Sequence, residues 1–421
     1  MNSEKIASIL QYASVHVPYY KKLFEEKGIN FDERNAQECF YKIPVLNKNI
    51  VLNNSDTFIS DEFKKGELDV DRTSGSTGKI LNIYWNNQDK IKSLMSLWSA
   101  RKILHNILPT SKCCYFHSIA YRTASDLSEK EVFSPRMMVR DKGLVLSLSK
   151  LSFEEKTLDI YYRKIFEFDP EWIMCHPSTL YLFADFIEKT NKKRFNKLRF
   201  IELTGEYLID SYRKKITDVF NVDTANHYGA KEVNGIAYEC KNGHLHCLDN
   251  NVYVEIINGN ENVGYDNVGH VCVTGLNNRS MPFIRYNLED IAILRKGSMC
   301  GCGNHTPYLE ICAGRNNEVI KLNNGKSVEC VVFFYVVEWI NAHLNNIISQ
   351  FQIIRTSQNK FEVKLVLFDK YNDLSNKIET EFVEKVTEYG FIGCEWRFSF
   401  VDIIQPQQDT QKLNFYYDIR T

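Results

Sequence analysis

Arg72-Thr73-Ser74-Gly75-Ser76-Thr77-Gly78-Lys79 concentrates more recognisable chemistry than any other stretch of the chain. Its two glycines permit a tight loop whose backbone N–H groups converge on an anion, and Thr73, Ser74, Ser76 and Thr77 add hydroxyl donors. Such a loop suits phosphate oxygens, here the β- and γ-phosphates of ATP. It is not a Walker loop. Thr73 stands where that motif has its first glycine, and Ile80 stands where a Ser or Thr would ligate magnesium. Ser/Thr/Gly clusters also make plain surface turns, so the loop alone leaves both uses open.

Outward from the loop, helical spacing of apolar residues marks 1–26, 87–107 and 178–191. Strand-like runs occupy 198–203, 251–257, 268–274 and 290–294. Interleaved helices and strands predict a layered α/β domain. The pattern changes near Gly314. A strand (318–322), an apolar helix (329–345), two strands (348–355 and 360–368), a charged helix (374–388) and a strand (395–402) follow. This β-α-β-β-α-β order predicts a second, smaller α+β domain. The polar stretch Gly314-Arg315-Asn316-Asn317 is the natural junction, giving a large layered N-terminal domain over 1–315 and a small mobile C-terminal domain over 316–421.

At 421 residues the chain is long enough for two domains, and 44% hydrophobic with 25% charged residues supports a sizeable core. Fifty-two Lys and Arg balance 53 Asp and Glu, so bulk charge offers nothing to nucleic acid, and an anionic substrate must be held by local devices. No segment reaches the ~20 apolar residues of a membrane span. The opening MNSEKIASILQYASVHVPYY has charge, His and Pro where a secretion signal needs an apolar run, which predicts a cytoplasmic protein. Cys175, Cys272, Cys330 and Cys394 sit singly in apolar runs as small core residues, whereas clustered cysteines suggest a metal.

Further motifs follow the loop in order. Thr204-Gly205-Glu206 closes a predicted strand; His227-Tyr228-Gly229-Ala230-Lys231-Glu232, Ile284-Arg285-Tyr286-Asn287-Leu288-Glu289-Asp290 and Gly314-Arg315-Asn316-Asn317-Glu318-Val319-Ile320-Lys321 come next; Thr410-Gln411-Lys412 is last. With Ala13-Ser14-Val15-His16-Val17-Pro18-Tyr19-Tyr20 and Ile43-Pro44-Val45-Leu46-Asn47-Lys48, this series resembles the acyl-adenylate-forming superfamily, in its phenylacetate–CoA ligase and capsule-biosynthesis branch. The resemblance implies that residues 73–78 hold ATP phosphates and that Thr204, Gly205 and Glu206 contact the nucleotide. It places His227, Tyr228, Gly229 and Ala230 beside adenine and the acyl group. Glu232 would help hold Mg²⁺, Asp290 would accept from the ribose hydroxyls, and Arg315 would touch ribose or phosphate as the small domain turns. Lys412 would reach the α-phosphate. Asn317 replaces the usual Asp of the hinge, and Gln411 replaces the glycine before the lysine. For the acyl pocket we select His176, Pro177, Ser178, Glu206 and Tyr228, with Tyr115, Phe116 and His117 as further candidates; His176 and His117 equally suit core or loop positions.

Cys240-Lys241-Asn242-Gly243-His244-Leu245-His246-Cys247 and Cys300-Gly301-Cys302-Gly303-Asn304-His305 bring together soft and borderline ligands of the kind tetrahedral zinc requires. The same resemblance assigns Cys240, His246, Cys300 and Cys302 to a structural zinc. His244 and Cys247 compete with them, and two turns with unpaired thiols remain the plain alternative. The activity so implied is attack of a carboxylate on the α-phosphate of ATP with loss of pyrophosphate. The acyl group then passes to coenzyme A, or in a variant to a carrier-protein thiol or an amine. A nucleotide-binding scaffold without catalysis is the competing class.

Overall fold

The residues on either side of the glycine loop pair with each other. In the computed structural model of the chain, Asp69–Arg72 pairs antiparallel with Asn82–Trp85. Thr73 continues the pairing: the Thr73 N–H donates to the Leu81 carbonyl at 3.0 Å, and the Leu81 N–H donates to the Thr73 hydroxyl at 2.9 Å. The structure describes residues 3–30, 35–73, 81–116, 136–140, 143–147, 155–208, 210–313, 319–330, 332–344, 347–367, 374–402, 404 and 415–420.

Among the described residues, one large sheet organises everything up to residue 313. Its strand order is Glu261–Asn262, Val252–Asn258, Val268–Gly275, Tyr286–Arg295, Tyr308–Ala313, Leu245–Cys247, Asn234–Glu239, Asp223–Ala230, Phe200–Thr204, Trp172–Cys175, Cys113–Phe116, Gly143–Ser147 and Arg136–Arg140. Strands from Asp223–Ala230 through Gly143–Ser147 are mutually parallel, and the others pair antiparallel. Parallel strands need both faces covered. Phe200 and Trp172 pack beneath Leu97 of helix Asn87–His105. Ile201 and Leu203, alternating to the other face, pack with Leu180, Phe183 and Ile216 of helices Pro177–Lys189 and Asp210–Phe220. Local chemistry sets the helix limits. The Asn86 side chain accepts the Asp89 N–H, and Asn106 ends the same helix in the left-handed region at φ 53°.

The expected helix over 1–26 is two helices, Ser3–His16 and Pro18–Lys27. Val17 is extended at φ −112°, ψ 107°, because the proline ring that follows disfavours a helical conformation there. The break aims Tyr20 inward: its hydroxyl donates to the Pro282 carbonyl at 3.0 Å and accepts the Ile284 N–H at 3.0 Å. Leu46 pairs with the same stretch, its N–H bonding the Arg285 carbonyl at 2.8 Å. Both N-terminal motifs thus pack on the segment around Arg285.

The C-terminal residues form a four-stranded sheet in the order Glu395–Phe400, Lys360–Leu367, Ile348–Ser357 and Tyr416–Asp418, with helices Val332–His343 and Ser375–Glu388. One expectation is corrected. The segment over 318–322 does not open this sheet; Val319–Lys321 pairs with Ser327–Glu329 in a hairpin of its own. Asn324-Gly325, with Gly325 at φ 78°, makes a tight turn that favours the local partner. Tyr416–Asp418 instead runs parallel to Ile348–Ser357 at the sheet edge. Among the described residues no helix is long and apolar enough to cross a membrane.

Candidate active site

Open α/β sheets bind ligands beyond the carboxyl ends of their parallel strands, and several of the selected residues gather there. Trp172–Cys175 runs into His176, and its neighbour Phe200–Thr204 runs into Gly205 and Glu206. His176 Nδ1 bonds the Thr204 carbonyl at 2.9 Å, and the Thr204 hydroxyl donates to the His227 carbonyl at 2.7 Å. Pro177 begins the helix with its ring already at a helical φ. The Ser178 N–H in that first turn donates to Glu206 Oε2 at 3.1 Å, where the positive end of the helix favours a carboxylate. Glu206 Oε1 and Ser178 Oγ are buried without a hydrogen-bond partner, a deficit of the sort that a ligand or ordered water fills.

Gly205 allows this turn. Its φ is 84°, and a Cβ there would stand 2.5 Å from His176 Cε1. Gly205→Ala should therefore cost about 1–3 kcal/mol in backbone strain alone and push the His176 ring aside. Urea unfolding checks the first effect; a wild-type midpoint would contradict it.

Strand Asp223–Ala230 sends successive side chains to opposite faces. Tyr228 donates its hydroxyl to Asp290 Oδ2 at 2.6 Å. The following turn holds Glu232, which is buried and accepts the Tyr286 hydroxyl at 3.1 Å. Gly229 sits at a register shift, and a Cβ on it would lie 2.7 Å from the Asn234 carbonyl oxygen. His227 points the other way, with Nδ1 3.3 Å from Glu202 Oε1. The structure thus pairs Tyr228 with Asp290 and Glu232 with Tyr286, and sets the His227 ring beside Glu202. Tyr115 lies edge-on to Trp172 at 5.9 Å, and Phe116 ends its strand. Ser74, Gly75, Ser76, Thr77, Gly78, His117, Arg315, Asn317, Gln411 and Lys412 lie outside the described residues.

Two buried ion pairs brace this region, and neither was singled out from sequence. Arg101 grips Glu202 through Nε at 2.8 Å and Nη2 at 2.6 Å, and Tyr238 donates to the same carboxylate at 3.1 Å. Trp98 and Trp172 lie against the Arg101 guanidinium, 4.4 and 5.0 Å from it. Burial pushes the Glu202 carboxyl up, but Arg101 outweighs it and holds the group well below the usual carboxylate range. A lone Glu inside the apolar run Phe200-Ile201-Glu202-Leu203 was the available signal, since carboxylates are rarely fully buried unless paired. The second brace is Arg285, at φ 50°. It bonds Glu255 at 3.1 and 3.2 Å and the carbonyls of Ile43 and Asn260 at 2.7 and 3.0 Å. Its role is to hold the segment from which Tyr286 and Asp290 project.

At the opposite end of the neighbouring strands, Cys240 Sγ, His246, Cys300 Sγ and Cys302 Sγ place four donor atoms within 4.8 Å of one another. Cys240 and Cys300 sulfurs are 3.5 Å apart, and Cys302 Sγ is 3.4 Å from His246 Nε2. Thiolate–zinc bonds of about 2.3 Å at tetrahedral angles would put neighbouring donors about 3.8 Å apart, so the set fits one such ion. The second shell fits too. His246 Nδ1 bonds the Thr306 carbonyl at 2.8 Å, which reserves Nε2 for a metal. The N–H groups of Asn242 and Asn304 point at Cys240 and Cys302 Sγ, each at 3.4 Å. Gly243, Gly301 and Gly303 supply the positive φ of the two turns. His244 contacts Cys300 Sγ through Nδ1 at 3.0 Å and stacks on Tyr308, outside the four-donor set. Cys247 lies apart in the apolar layer, where burial pushes its thiol up to about 12.

No family model matches the chain. Individual proteins do. The phenylacetate-coenzyme A ligase of Thermus thermophilus is 21% identical over 343 residues, spanning 76% of this chain and 71% of that protein. The phenylacetate-coenzyme A ligase of Pseudomonas putida is 23% identical over 311 residues, spanning 70% and 66%. Among solved structures, a 2-hydroxyisobutyryl-CoA ligase in its postadenylation state with 2-HIB-AMP overlays with a TM-score of 0.75 at 16% identity, covering 99% of this chain and 88% of that one. The same ligase in its thioesterification state with 2-HIB-AMP and CoA gives 0.59, also at 16% identity, covering 99% and 89%. The chain is thus similar in sequence to phenylacetate-coenzyme A ligases and shares the fold of the solved 2-hydroxyisobutyryl-CoA ligase.

Proposed function

We propose that this chain adenylates a small acyl or aryl carboxylic acid with ATP and Mg²⁺ and transfers the acyl group to coenzyme A. The observation that carries the reading is the placement of Glu206, Tyr228 and Glu232 at the carboxyl ends of adjacent parallel strands, with Tyr228 bonded to Asp290 and Glu232 to Tyr286. Two anions must meet in this reaction, so the site has to neutralise charge rather than supply a nucleophile. Residues 74–78 would offer backbone donors to the phosphates, and Lys412 would bring an ammonium to the α-phosphate. Glu232, oriented by the Tyr286 hydroxyl, would help hold Mg²⁺, which supplies charge neutralisation when bound. Asp290, fixed by Tyr228, would accept the ribose hydroxyls. His176, Pro177, Ser178 and Tyr228 would line the acyl side.

The domains are residues 1–315 and 316–421, with the junction at Arg315 to Asn317. The two TM-scores against one ligase in two states support the view that the smaller domain changes its placement between half-reactions.

ATP with Mg²⁺ should raise the melting temperature by mass action. Asp290→Ala should weaken nucleotide binding, because the ribose loses a charged acceptor; removing one partner of such a bond costs about 1–3 kcal/mol. Glu232→Gln should instead lower turnover. Calorimetric titration of ATP into each variant is the test, and an unchanged Kd in Asp290→Ala would contradict the assignment.

Cys240, His246, Cys300 and Cys302 would hold one zinc. A closed set of four protein ligands leaves no place for a reacting water, so its role is structural. Elemental analysis should find about one zinc per chain, and Cys300→Ser should lower Tm and soluble yield. Metal-free protein of wild-type stability would remove this assignment.

A further inference from the structure

The cluster and the nucleotide site are usually separate matters, but here the same two hairpins reach both. The first hairpin is Asp223–Ala230 with Asn234–Glu239; it carries Tyr228 and runs directly into Cys240. The second is Tyr286–Arg295 with Tyr308–Ala313; it carries Asp290, and Cys300 and Cys302 lie in its connection. Between them runs only the three-residue strand Leu245–Cys247, which contains His246. Cross-strand register continues the link. Thr204 faces His227, His227 faces Tyr238, Tyr238 faces His246, and His246 faces Tyr308.

The hairpins are therefore fastened twice. At one end the four donor atoms draw together within 4.8 Å. Toward the other end the Tyr228 hydroxyl bonds Asp290 at 2.6 Å, joining the outer strands of the two hairpins although three strands stand between them in the sheet order. Five residues of strand separate Asp290 from Arg295, about 16 Å at the usual rise. Paired strands carry a displacement along their length because slippage breaks every ladder bond. Glu239 stiffens the join next to Cys240: its carboxylate accepts the Asn226 N–H at 2.6 Å and an Arg213 N–H at 2.8 Å.

We infer that the Cys240/His246/Cys300/Cys302 site is a positioning device for the nucleotide: the metal it holds fixes the spacing of the two hairpins and thereby the Tyr228–Asp290 contact that faces ribose. This rests on the nucleotide reading above. Binding free energies are reciprocal, so a nucleotide that engages Asp290 must tighten the metal by the factor by which the metal tightens the nucleotide.

The test uses purified metal-loaded protein and AMP, which needs no Mg²⁺. AMP affinity is first measured by calorimetry for wild type and Tyr228→Phe. Zinc affinity is then measured by competition with a chromogenic chelator, with and without AMP at the same multiple of each protein's Kd. Wild type should bind zinc on the order of tenfold more tightly with AMP present, within the usual range of coupling between sites. Tyr228→Phe should show little or none of this response. A metal that merely held the fold together would give the same AMP response in both proteins, and that result overturns the inference. So does a wild-type zinc affinity that ignores AMP. Absence of AMP binding to wild type is a different failure, since it removes the nucleotide reading itself and the inference with it.

Discussion

Lys412→Ala should lower acid-dependent pyrophosphate exchange by roughly 10²–10³, the loss typical of one charge-stabilising donor. The developing charge on the α-phosphate would lose its ammonium, while Thr73, Asp290 and Glu206, all in the large domain, would keep their hold on ATP. ATP affinity should therefore change little. Supplied with preformed acyl adenylate and coenzyme A, the variant should still transfer the acyl group at close to the wild-type rate, because the small domain would by then have moved the lysine away. Pyrophosphate release and thioester formation, followed separately, decide the matter. Equal impairment of both steps, or of neither, would exclude a lysine that serves only the first.

Glu202→Ala should have the largest effect on stability, about 3–5 kcal/mol, because it leaves a buried guanidinium without its counter-charge. Arg101 is 4% exposed and Glu202 is 0% exposed, so water cannot replace the lost partner. Tyr238 loses its acceptor as well. Pairing the change with Arg101→Met should restore much of the loss, since an apolar replacement of both charges carries no unpaired ion. The pH dependence follows from the carboxyl being held low in the folded state. Its stabilising contribution is complete above the ordinary carboxylate pKa and is lost as pH falls from there toward the folded value. Urea midpoints of the two single variants and the double variant, at neutral and acidic pH, measure both effects. A Glu202→Ala protein within 1 kcal/mol of wild type would show that the pair is not a brace.

Much of this was legible because the informative residues were local. Thr204-Gly205-Glu206 closes a strand as its sequence suggests, since Gly205 alone tolerates a φ of 84° against the His176 ring. The strand expected over 360–368 is found as Lys360–Leu367, and its burial alternates from Lys360 to Leu365 because successive side chains face opposite sides of the sheet. The break at Val17 was also written in the sequence, in the proline that follows it. Other features depend on long-range partners. Arg101 and Glu202 are 101 positions apart, and only the packing of helix Asn87–His105 on the sheet brings them together. His246 is set apart from His244 by a carbonyl 60 positions away, at Thr306, which holds Nδ1 and leaves Nε2 facing Cys302. His227 and Tyr228 look alike as motif residues, yet strand alternation sends one ring to Glu202 and the other to Asp290.

Acid-dependent ATP–pyrophosphate exchange tests the central claim most directly, run on wild-type protein across aryl, aliphatic and amino acids. The expected result is exchange that needs both Mg²⁺ and one class of acid, with AMP and a thioester accumulating once coenzyme A is added. Exchange with no acid in the panel, by protein that binds ATP and is fully folded, would contradict it.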